Sequence, residues 1–378
     1  MKKRILKLMI AISFISITLL GCGSTAVEEP DQAMEAEESV ETEEMPETGE
    51  EVTEDIQEEE PETGQEAQYI KLKTVQYNGE GSVQSIRKSI FNESGCTVSD
   101  VVYNEDGLIE TVTEYEYDEN DQCTKEITQD ADGNVISSDE AEYDSKGNLI
   151  KWIEYDGDGN IISSSLSEYD DNGNEIKEIW SMTFDMDGDE SYQSESTYEY
   201  EYDENNNRIK WITYEENGDT VYSVREYTFD SAGNEIEEKE YNADGSILSI
   251  IKNEYNSDNK KIKESRYDAD GVEFMMEEYE YDSKGNQTKW AANYYNIDTS
   301  SLGEYEYDSY NRQVKATNYR NGTLESVSDT EYDAYGNIIK KTEYGADGSL
   351  TSIVENEYIE LQDYLSAKES IDQEEIKM

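Results

Sequence analysis

A tyrosine-centred repeat of about 26 residues recurs through most of the chain and restricts the folds open to it. Residues 143–148, a clear copy, read YDSKGN, and Asp or Asn always follows the leading Tyr or Phe. The copies begin at Phe91, Tyr117, Tyr143, Tyr169, Tyr202, Phe229, Tyr255, Tyr281, Tyr307 and Tyr332. A fixed period of this length predicts an array of small supersecondary units rather than two or three separate globular domains.

A second tyrosine lies about midway through the repeat, and Asp-Gly or Asn-Gly usually follows it. These midway tyrosines are Tyr103, Tyr155, Tyr214, Tyr241, Tyr267, Tyr319 and Tyr344. Turn signals therefore recur every 12 to 14 residues, with strand-length segments between them. This spacing is typical of consecutive antiparallel β-hairpins.

The position four residues after the leading tyrosine is glycine or asparagine in most copies. The residues found there are Gly147, Gly173, Gly233, Gly285, Gly336, Asn206, Asn259 and Asn311. These two residue types tolerate a positive φ better than others do. We therefore predict a left-handed backbone at this position of each turn.

Charged and apolar residues flank the turn in a way that predicts the strand register. Glu142 precedes the tyrosine, Ile150 follows it by seven residues and Lys151 by eight, and most copies keep this pattern. An antiparallel hairpin with Tyr143 opposite Ile150 and Glu142 opposite Lys151 pairs apolar with apolar and acid with base. The predicted fold is all-β, with tandem antiparallel β-hairpin repeats forming an extended, twisted or spiralling sheet.

The repeat string Glu-Tyr-Asp-x-x-Gly-Asn, followed by Lys and then Tyr-Asp-x-Asp-Gly, resembles the YD-repeat (RHS-repeat) family. Residues 280–286 and 307–312 are good examples, and the resemblance covers about 77–358. It implies a β-sheet that spirals, sometimes into a hollow shell around a toxin. Only 359–378 follow the array, so we do not expect a closed shell or toxin delivery for this chain.

The N-terminus reads as a targeting signal. Lys2-Lys3-Arg4 precede a largely apolar segment, 5–20, that is short for a membrane-spanning helix and suits a signal peptide. The segment ends in Leu19-Leu20-Gly21-Cys22, which resembles the lipobox of bacterial lipoproteins. The resemblance implies cleavage before Cys22, acylation of Cys22 and attachment to the extracytoplasmic face of the cell membrane. The alternative is an ordinary signal peptide that happens to contain a cysteine.

The segment after Cys22 is strongly acidic. Residues 23–68 contain no Lys or Arg, many Glu and all three prolines of the chain. Such a composition buries too little apolar surface to fold, and mutual repulsion extends it. We predict a signal peptide at 1–21, an acidic disordered linker at 22–68, the repeat array at 69–358 and a charged tail or short helix at 359–378.

Charge and composition exclude several classes of function. The formal net charge is -62, with 92 acidic residues against 30 basic ones, so the surface repels nucleic acid and other polyanions. The chain has no histidine, which removes the commonest general base, histidine-dependent triads and histidine metal sites. We predict that it is not an enzyme and holds no cofactor or metal. A glycoside hydrolase, the weaker alternative, would need a deep acidic cleft.

Trp152, Trp211 and Trp290 occupy the same place in three repeats, nine residues after the leading tyrosine, and Trp180 lies close to that row. Such a row either stacks sugars or packs across strands. Burial of the rings would favour a surface-tethered, non-catalytic scaffold for interaction or structure, with an unidentified protein or glycan partner. Exposure in a concave face would favour the alternative, a carbohydrate-binding lipoprotein.

Two further cysteines, Cys96 and Cys123, lie nearly one repeat apart. Two strand spacings amount to about 9.5 Å, beyond the reach of a disulfide in a regular sheet. Although export favours oxidation, we expect no bridge between them.

Overall fold

The computed structural model describes residues 67–186, 190–216 and 218–367. The predicted signal peptide, the acylation site Cys22 and nearly all of the predicted linker lie outside these ranges. Within them, no helix is both long enough and apolar enough to cross a membrane.

The described part of the repeat array contains 22 strands. They are β1 (Tyr69–Asn78), β2 (Val83–Phe91), β3 (Thr97–Tyr103), β4 (Ile109–Tyr117), β5 (Cys123–Asp130), β6 (Val135–Tyr143), β7 (Leu149–Asp156), β8 (Ile161–Tyr169), β9 (Glu175–Met186), β10 (Glu190–Tyr202), β11 (Arg208–Tyr214), β12 (Val221–Phe229), β13 (Glu235–Asn242), β14 (Ile247–Tyr255), β15 (Lys261–Asp268), β16 (Glu273–Tyr281), β17 (Gln287–Tyr294), β18 (Thr299–Tyr307), β19 (Gln313–Arg320), β20 (Thr323–Tyr332), β21 (Ile338–Gly345) and β22 (Leu350–Glu360). The extra residues between the repeats that begin at Tyr169 and Tyr202 lengthen the β9–β10 hairpin, and no register shift interrupts its pairing.

The turns after the leading tyrosines share one geometry, which some of the midway turns repeat. At Asp144 the backbone N–H donates to the carbonyl of Asn148 over 2.9 Å, and the N–H of Gly147 donates to the carbonyl of Asp144 over 3.1 Å. The Asp144 Oδ1 accepts the N–H groups of Lys146 and Asn148. Asn104 makes equivalent contacts at a midway turn. The side chain after each leading tyrosine or phenylalanine, and after Tyr103, Tyr155 and Tyr267, thus satisfies the backbone donors that the reversal frees.

The predicted left-handed positions are confirmed. Every one of them has a positive φ, from 58° at Asn259 to 92° at Gly336. The midway turns show the same feature at the glycine of their Asp-Gly pair, for example Gly107 with φ of 74° and Gly159 with φ of 81°. A side chain with a Cβ is strained in this region of φ, which explains the restriction to glycine, asparagine and occasionally aspartate.

The predicted register is right for the charged pair and wrong for the apolar pair. Glu142 faces Lys151 and forms an ion pair with it. Tyr143 faces Leu149, however, and Ile150 is the extra residue of a bulge on β7. The bulge arises because the five-residue turn leaves one more residue on the returning strand than on the outgoing one. The same shift occurs in the other hairpins that close at a leading tyrosine.

The sheet closes on itself. The first strand, β1, pairs with both β2 and β22, so that each strand has two hydrogen-bonded neighbours. At this seam Lys73 Nζ lies 3.0 Å from Glu357 Oε1, and the Tyr77 hydroxyl donates to Glu355 over 3.0 Å. The predicted all-β array of antiparallel hairpins is confirmed, but the expected extended or spiralling sheet is wrong. Pairing of the first and last strands removes both free edges and gives a closed barrel.

The two faces of the sheet differ in burial and chemistry. On β8, Ser163 and Ser165 are buried, whereas Leu166 and Glu168 are exposed. We call the side of Ser163 and Ser165 the buried face; across the sheet it continues through Trp152 of β7 and Ala141 of β6. The opposite face carries the Glu–Lys pairs, which stabilise such a surface only weakly.

The leading tyrosines connect consecutive repeats. The Tyr143 hydroxyl, at the end of β6, donates over 2.9 Å to the backbone carbonyl of Cys123, which begins the preceding strand, β5. The same bond, at 2.6 to 2.9 Å, joins Tyr117 to Thr97, Tyr169 to Leu149, Tyr202 to Glu175, Tyr255 to Glu235, Tyr281 to Lys261, Tyr307 to Gln287 and Tyr332 to Gln313. Each repeat is therefore fastened to the previous one by a side chain as well as by the strand ladder.

Cys123 carries a free thiol that is almost fully buried. No bridge therefore joins it to Cys96, as the strand spacing predicted. Burial raises the pKa of the Cys123 thiol, so that it behaves as a small apolar side chain.

Residues 67–69 and 360–367 belong to a second, small unit. Residues 361–367 are helical, and the Leu361 N–H donates to the carbonyl of Gln68 over 2.8 Å. The side chains of Leu361 and Tyr364 are buried. Within the predicted C-terminal segment 359–378, residues 359–360 end β22 and residues 361–367 are helical.

We expect the Tyr143→Phe variant to unfold at a lower urea concentration, with a loss of about 0.5–1.5 kcal/mol in the free energy of unfolding. The substitution keeps the ring and removes only the hydrogen bond to the Cys123 carbonyl. Tyr310→Phe is the matched control, because the Tyr310 side chain is 77% exposed. Equal urea midpoints for the two variants, followed by circular dichroism, would show that this bond does not stabilise the array.

Candidate functional site

The three predicted tryptophans all lie on the buried face, but the structure does not bring them together. Trp152 is on β7, Trp211 on β11 and Trp290 on β17, and they face Ala141, Tyr200 and Tyr279 across their hairpins. These pairs lie four or more strands apart around the sheet. Trp152 is only 7% exposed, whereas the other two are partly exposed. The row is therefore not a continuous aromatic surface.

In other repeats the same position carries an acidic residue, which the sequence analysis missed. Nine residues after the leading aromatic residue stand Asp100, Glu126, Glu178, Glu238 and Glu264. They lie on the buried face in register with the tryptophans. The fixed offset from the leading aromatic residue would have found them, because the offset, and not the residue type, defines the row.

Trp152 and Trp180 form a stacked pair on the buried face. Both face Ser165 of β8, which lies between them in the sheet. Their ring centroids are 5.5 Å apart with 19° between the planes. Because Ser165 is small and buried, the two indoles meet above it. An offset stack of this kind adds packing energy to the burial of the rings.

Several carboxylates lie on the same face as this pair, and no base on β5–β9 pairs with them there. Glu126, Asp139 and Glu154 face one another in sequence across β5, β6 and β7. Burial raises the pKa of Asp139 to about 6, the charges of Glu126 and Glu154 add to this, and the nearby Trp152 indole opposes it. On β9, burial and the neighbouring Glu175 raise the pKa of Glu178 to about 7. We call the buried face of β5–β9 the acidic sector.

The environment of Trp211 is different, because the chain supplies its own cations there. The Arg225 guanidinium lies 4.8 Å from the Trp211 ring centroid, and that of Arg208 lies 5.3 Å from it. Arg225 also contacts Glu238 and Glu240, at 3.6 and 3.4 Å. Cation–π contacts and ion pairs therefore neutralise this part of the buried face.

Neutralisation continues on β15. Glu264 receives Lys261 Nζ at 2.9 Å and Arg266 Nε at 2.8 Å. Burial by itself would raise the pKa of Glu264, but the hydrogen bonds from these two bases lower it overall. The buried face is thus balanced in charge on β11–β15 and unbalanced in the acidic sector.

Two depressions are lined in part by residues of the face that carries the Glu–Lys pairs, opposite the buried face. One, of about 290 Å³, lies at the seam and includes Tyr77, Lys340 and Glu355. The other, of about 200 Å³, includes Lys125 and Glu142. Neither is a deep acidic cleft. Among the described residues, no three or more Asp, Glu, Cys or His side chains are grouped as metal ligands would be.

We expect the free energy of unfolding to fall as the pH rises from about 4.5 to 7. Asp139 and Glu178 have pKa values of about 6 and 7 in the folded chain, above their ordinary values of 3.8 and 4.5, so the folded chain binds more protons in this window. Each should contribute on the order of 1 kcal/mol, because partial exposure screens the full effect.

Urea unfolding at several pH values tests this expectation. The double variant Asp139→Asn, Glu178→Gln should show a flatter pH dependence than the natural chain. Asp144→Asn is the control. Hydrogen bonds from Asn148 lower the pKa of Asp144, so its titration affects stability only at pH values under about 4. The pH dependence of the free energy of unfolding above pH 4 should therefore stay unchanged. Identical slopes in all three proteins would contradict the assignment.

Comparisons with known proteins give distant structural likenesses only. No family model matches the chain, and no curated protein matches it. The crystal structure of TcdB2-TccC3-Cdc42 is 13% identical with a TM-score of 0.29, covering 72% of this chain and 18% of that chain. A porin-like protein from Bacteroides uniformis is 12% identical with a TM-score of 0.31, covering 58% and 93%. One from Bacteroides vulgatus is 11% identical with a TM-score of 0.25, covering 77% and 99%. This chain spans less than a fifth of the first structure, and TM-scores of this size carry no argument about family or function.

Proposed function

We propose that the chain is a lipoprotein attached through acylated Cys22 to the extracytoplasmic face of a bacterial cell membrane. Its body is a non-catalytic repeat scaffold for interaction or structure. The observation that carries the second part is the packing of Trp152, the first tryptophan of the candidate row: it is buried, stacked on Trp180 and placed over Ser165. A side chain used in this way holds the sheet together.

The acidic segment between Cys22 and the array supports a spacer role. Residues 23–68 carry no positive charge, and a self-repelling chain extends to at most about 3 Å per residue. The net charge of the whole chain also keeps the body away from anionic lipid headgroups. The array is then displayed at a distance from the bilayer.

The repeat motif supports membership of the YD-repeat family as part of the same proposal. Each motif residue has a structural task here: Tyr143 bonds the previous repeat, Asp144 holds the turn and Gly147 adopts the left-handed backbone. None of the three is left over for catalysis. This allocation favours a scaffold over an enzyme.

A fatty-acid probe tests the anchor. Cells that express the natural chain should incorporate the probe into it, and Cys22→Ser should abolish labelling and release the protein into the soluble fraction. Cys123→Ser is the matched control, because the Cys123 thiol is buried and should not affect labelling. Labelling of Cys22→Ser at the natural level would refute acylation at this residue.

Carbohydrate binding is a second candidate, favoured by the partial exposure of Trp180, Trp211 and Trp290. A glycan array probed with the released Cys22→Ser chain tests it. The expected result for this candidate is binding that Trp290→Ala abolishes and Tyr310→Ala, in an exposed turn, leaves intact. A blank array would reject carbohydrate binding and leave the scaffold proposal standing.

A further inference from the structure

Two tryptophans in equivalent positions of the fold have opposite electrostatic surroundings. Trp211 faces Arg225 on the next strand, and Arg208 stands opposite the leading tyrosine of its hairpin. Arg208 lies 5.3 Å from the Trp211 ring centroid and 5.5 Å from those of Tyr200 and Tyr227. The aromatic cluster around Trp211 is therefore occupied by guanidinium groups of the chain itself.

Around Trp152 both of these cations are missing. Ser165 takes the place of Arg225, and Leu149 takes the place of Arg208 opposite the leading tyrosine. Aromatic surface is nonetheless present, since Trp180 supplies a second indole. The carboxylates are present as well, with Asp139 facing Glu154 on the neighbouring strands.

The strands of this sector supply no base to its buried face. Arg87 and Arg208, on β2 and β11, act only on Glu126 and Glu175, the first and last of its carboxylates. Between residues 123 and 207 the only basic residues are Lys125, Lys146, Lys151 and Lys177. Lys125 and Lys151 pair with glutamates of the opposite face, Lys177 faces Glu168 on that same face, and Lys146 donates to a backbone carbonyl in a turn. The acidic sector is thus without a cation of its own on β5–β9.

One polar group in the sector is incompletely satisfied. Trp152 is more than nine-tenths buried, and its Nε1–H makes no hydrogen bond of normal length and angle with any described residue. The N–H is directed at the Asp139 carboxyl, whose pKa it lowers, so this donor belongs to the acidic sector. A buried donor without a well-formed hydrogen bond costs free energy that a ligand acceptor would recover. Trp180, Asp139 and Glu154 keep part of their surface exposed, which leaves the sector within reach of a small molecule.

We propose that the acidic sector binds a small organic ammonium ion between the Trp152–Trp180 pair and the carboxylates of Asp139 and Glu154. The ammonium group takes the role that Arg208 and Arg225 play beside Trp211, with its charge near the carboxylates and its CH groups against an indole face. Where the ligand carries a hydroxyl, that oxygen accepts the Trp152 Nε1–H. The charge of -62 raises the local concentration of any such cation.

Two sources supply this chemistry, a free polyamine and an amino sugar. A polyamine offers several ammonium groups on a flexible apolar chain and no acceptor. An amino sugar offers one ammonium group beside hydroxyls, which also match the Trp152 donor. Both differ from a neutral N-acetylated sugar, which keeps the ring and hydroxyls but loses the charge.

Titration calorimetry of the released, otherwise full-length Cys22→Ser chain tests the proposal at pH 8 and 150 mM salt with spermidine, glucosamine and N-acetylglucosamine. We expect saturable binding of spermidine or glucosamine, and at least about tenfold weaker binding of N-acetylglucosamine. The substitutions Trp180→Ala and Asp139→Asn, each made in that chain, should weaken binding of the ammonium ligand at least about tenfold. Glu142→Gln, on the opposite face of the same strand as Asp139, should leave the affinity unchanged.

Each outcome decides a point. Binding of spermidine alone identifies a polyamine site, and binding of glucosamine alone identifies an amino-sugar site. No binding, equal binding of N-acetylglucosamine, or equal losses in Asp139→Asn and Glu142→Gln would overturn the proposal. Asp139→Asn should fold at least as stably as the natural chain, because it removes an unneutralised buried charge. Loss of binding with an unchanged circular dichroism spectrum is then a property of the site.

Discussion

The hydrogen bond from each leading tyrosine to a backbone carbonyl of the previous repeat is the interaction on which the array depends. A sheet so poor in Leu, Val and Phe has little aliphatic core, and the buried face is lined instead by aromatic, small and acidic side chains. Tyr143 and its equivalents meet both needs at once, since the ring covers apolar surface and the hydroxyl satisfies a carbonyl at the start of a strand. One type of side chain, tyrosine, therefore links each repeat to the preceding one.

Local chemistry made the strands and turns predictable. Asp144, Gly147 and their counterparts act within a few residues of their own position, so their spacing in the sequence already defines the reversals. The bulge at Ile150 was missed because it depends on how the turn feeds into the returning strand. Closure was missed because β1 and β22 meet only through the accumulated curvature of all the hairpins between them, which no single repeat encodes.

The candidate site was predictable in position and not in composition. The offset that singled out Trp152, Trp211 and Trp290 correctly placed them on one face of the sheet. The acids at the same offset, such as Glu126 and Glu178, were overlooked because a glutamate in so acidic a chain draws no attention. The charge balance around each tryptophan could not be predicted from the offset, because it depends on the residue that faces the tryptophan from the next strand. That residue is Arg225 for Trp211 and Ser165 for Trp152. The charge balance emerges only when strands from different repeats are aligned.

Pairing of the first and last strands restricts how such a chain can change in length during evolution. An open repeat array can gain or lose a terminal unit, but here a duplicated or deleted unit must be accommodated by a new circumference and a rebuilt junction between Tyr77 and Glu355. Extra residues are tolerated more readily along a strand pair, as in the long β9–β10 hairpin, which outgrows its neighbours without disturbing their alignment. Relatives should therefore differ mainly in the lengths of their hairpin strands, while the number of repeats stays constant.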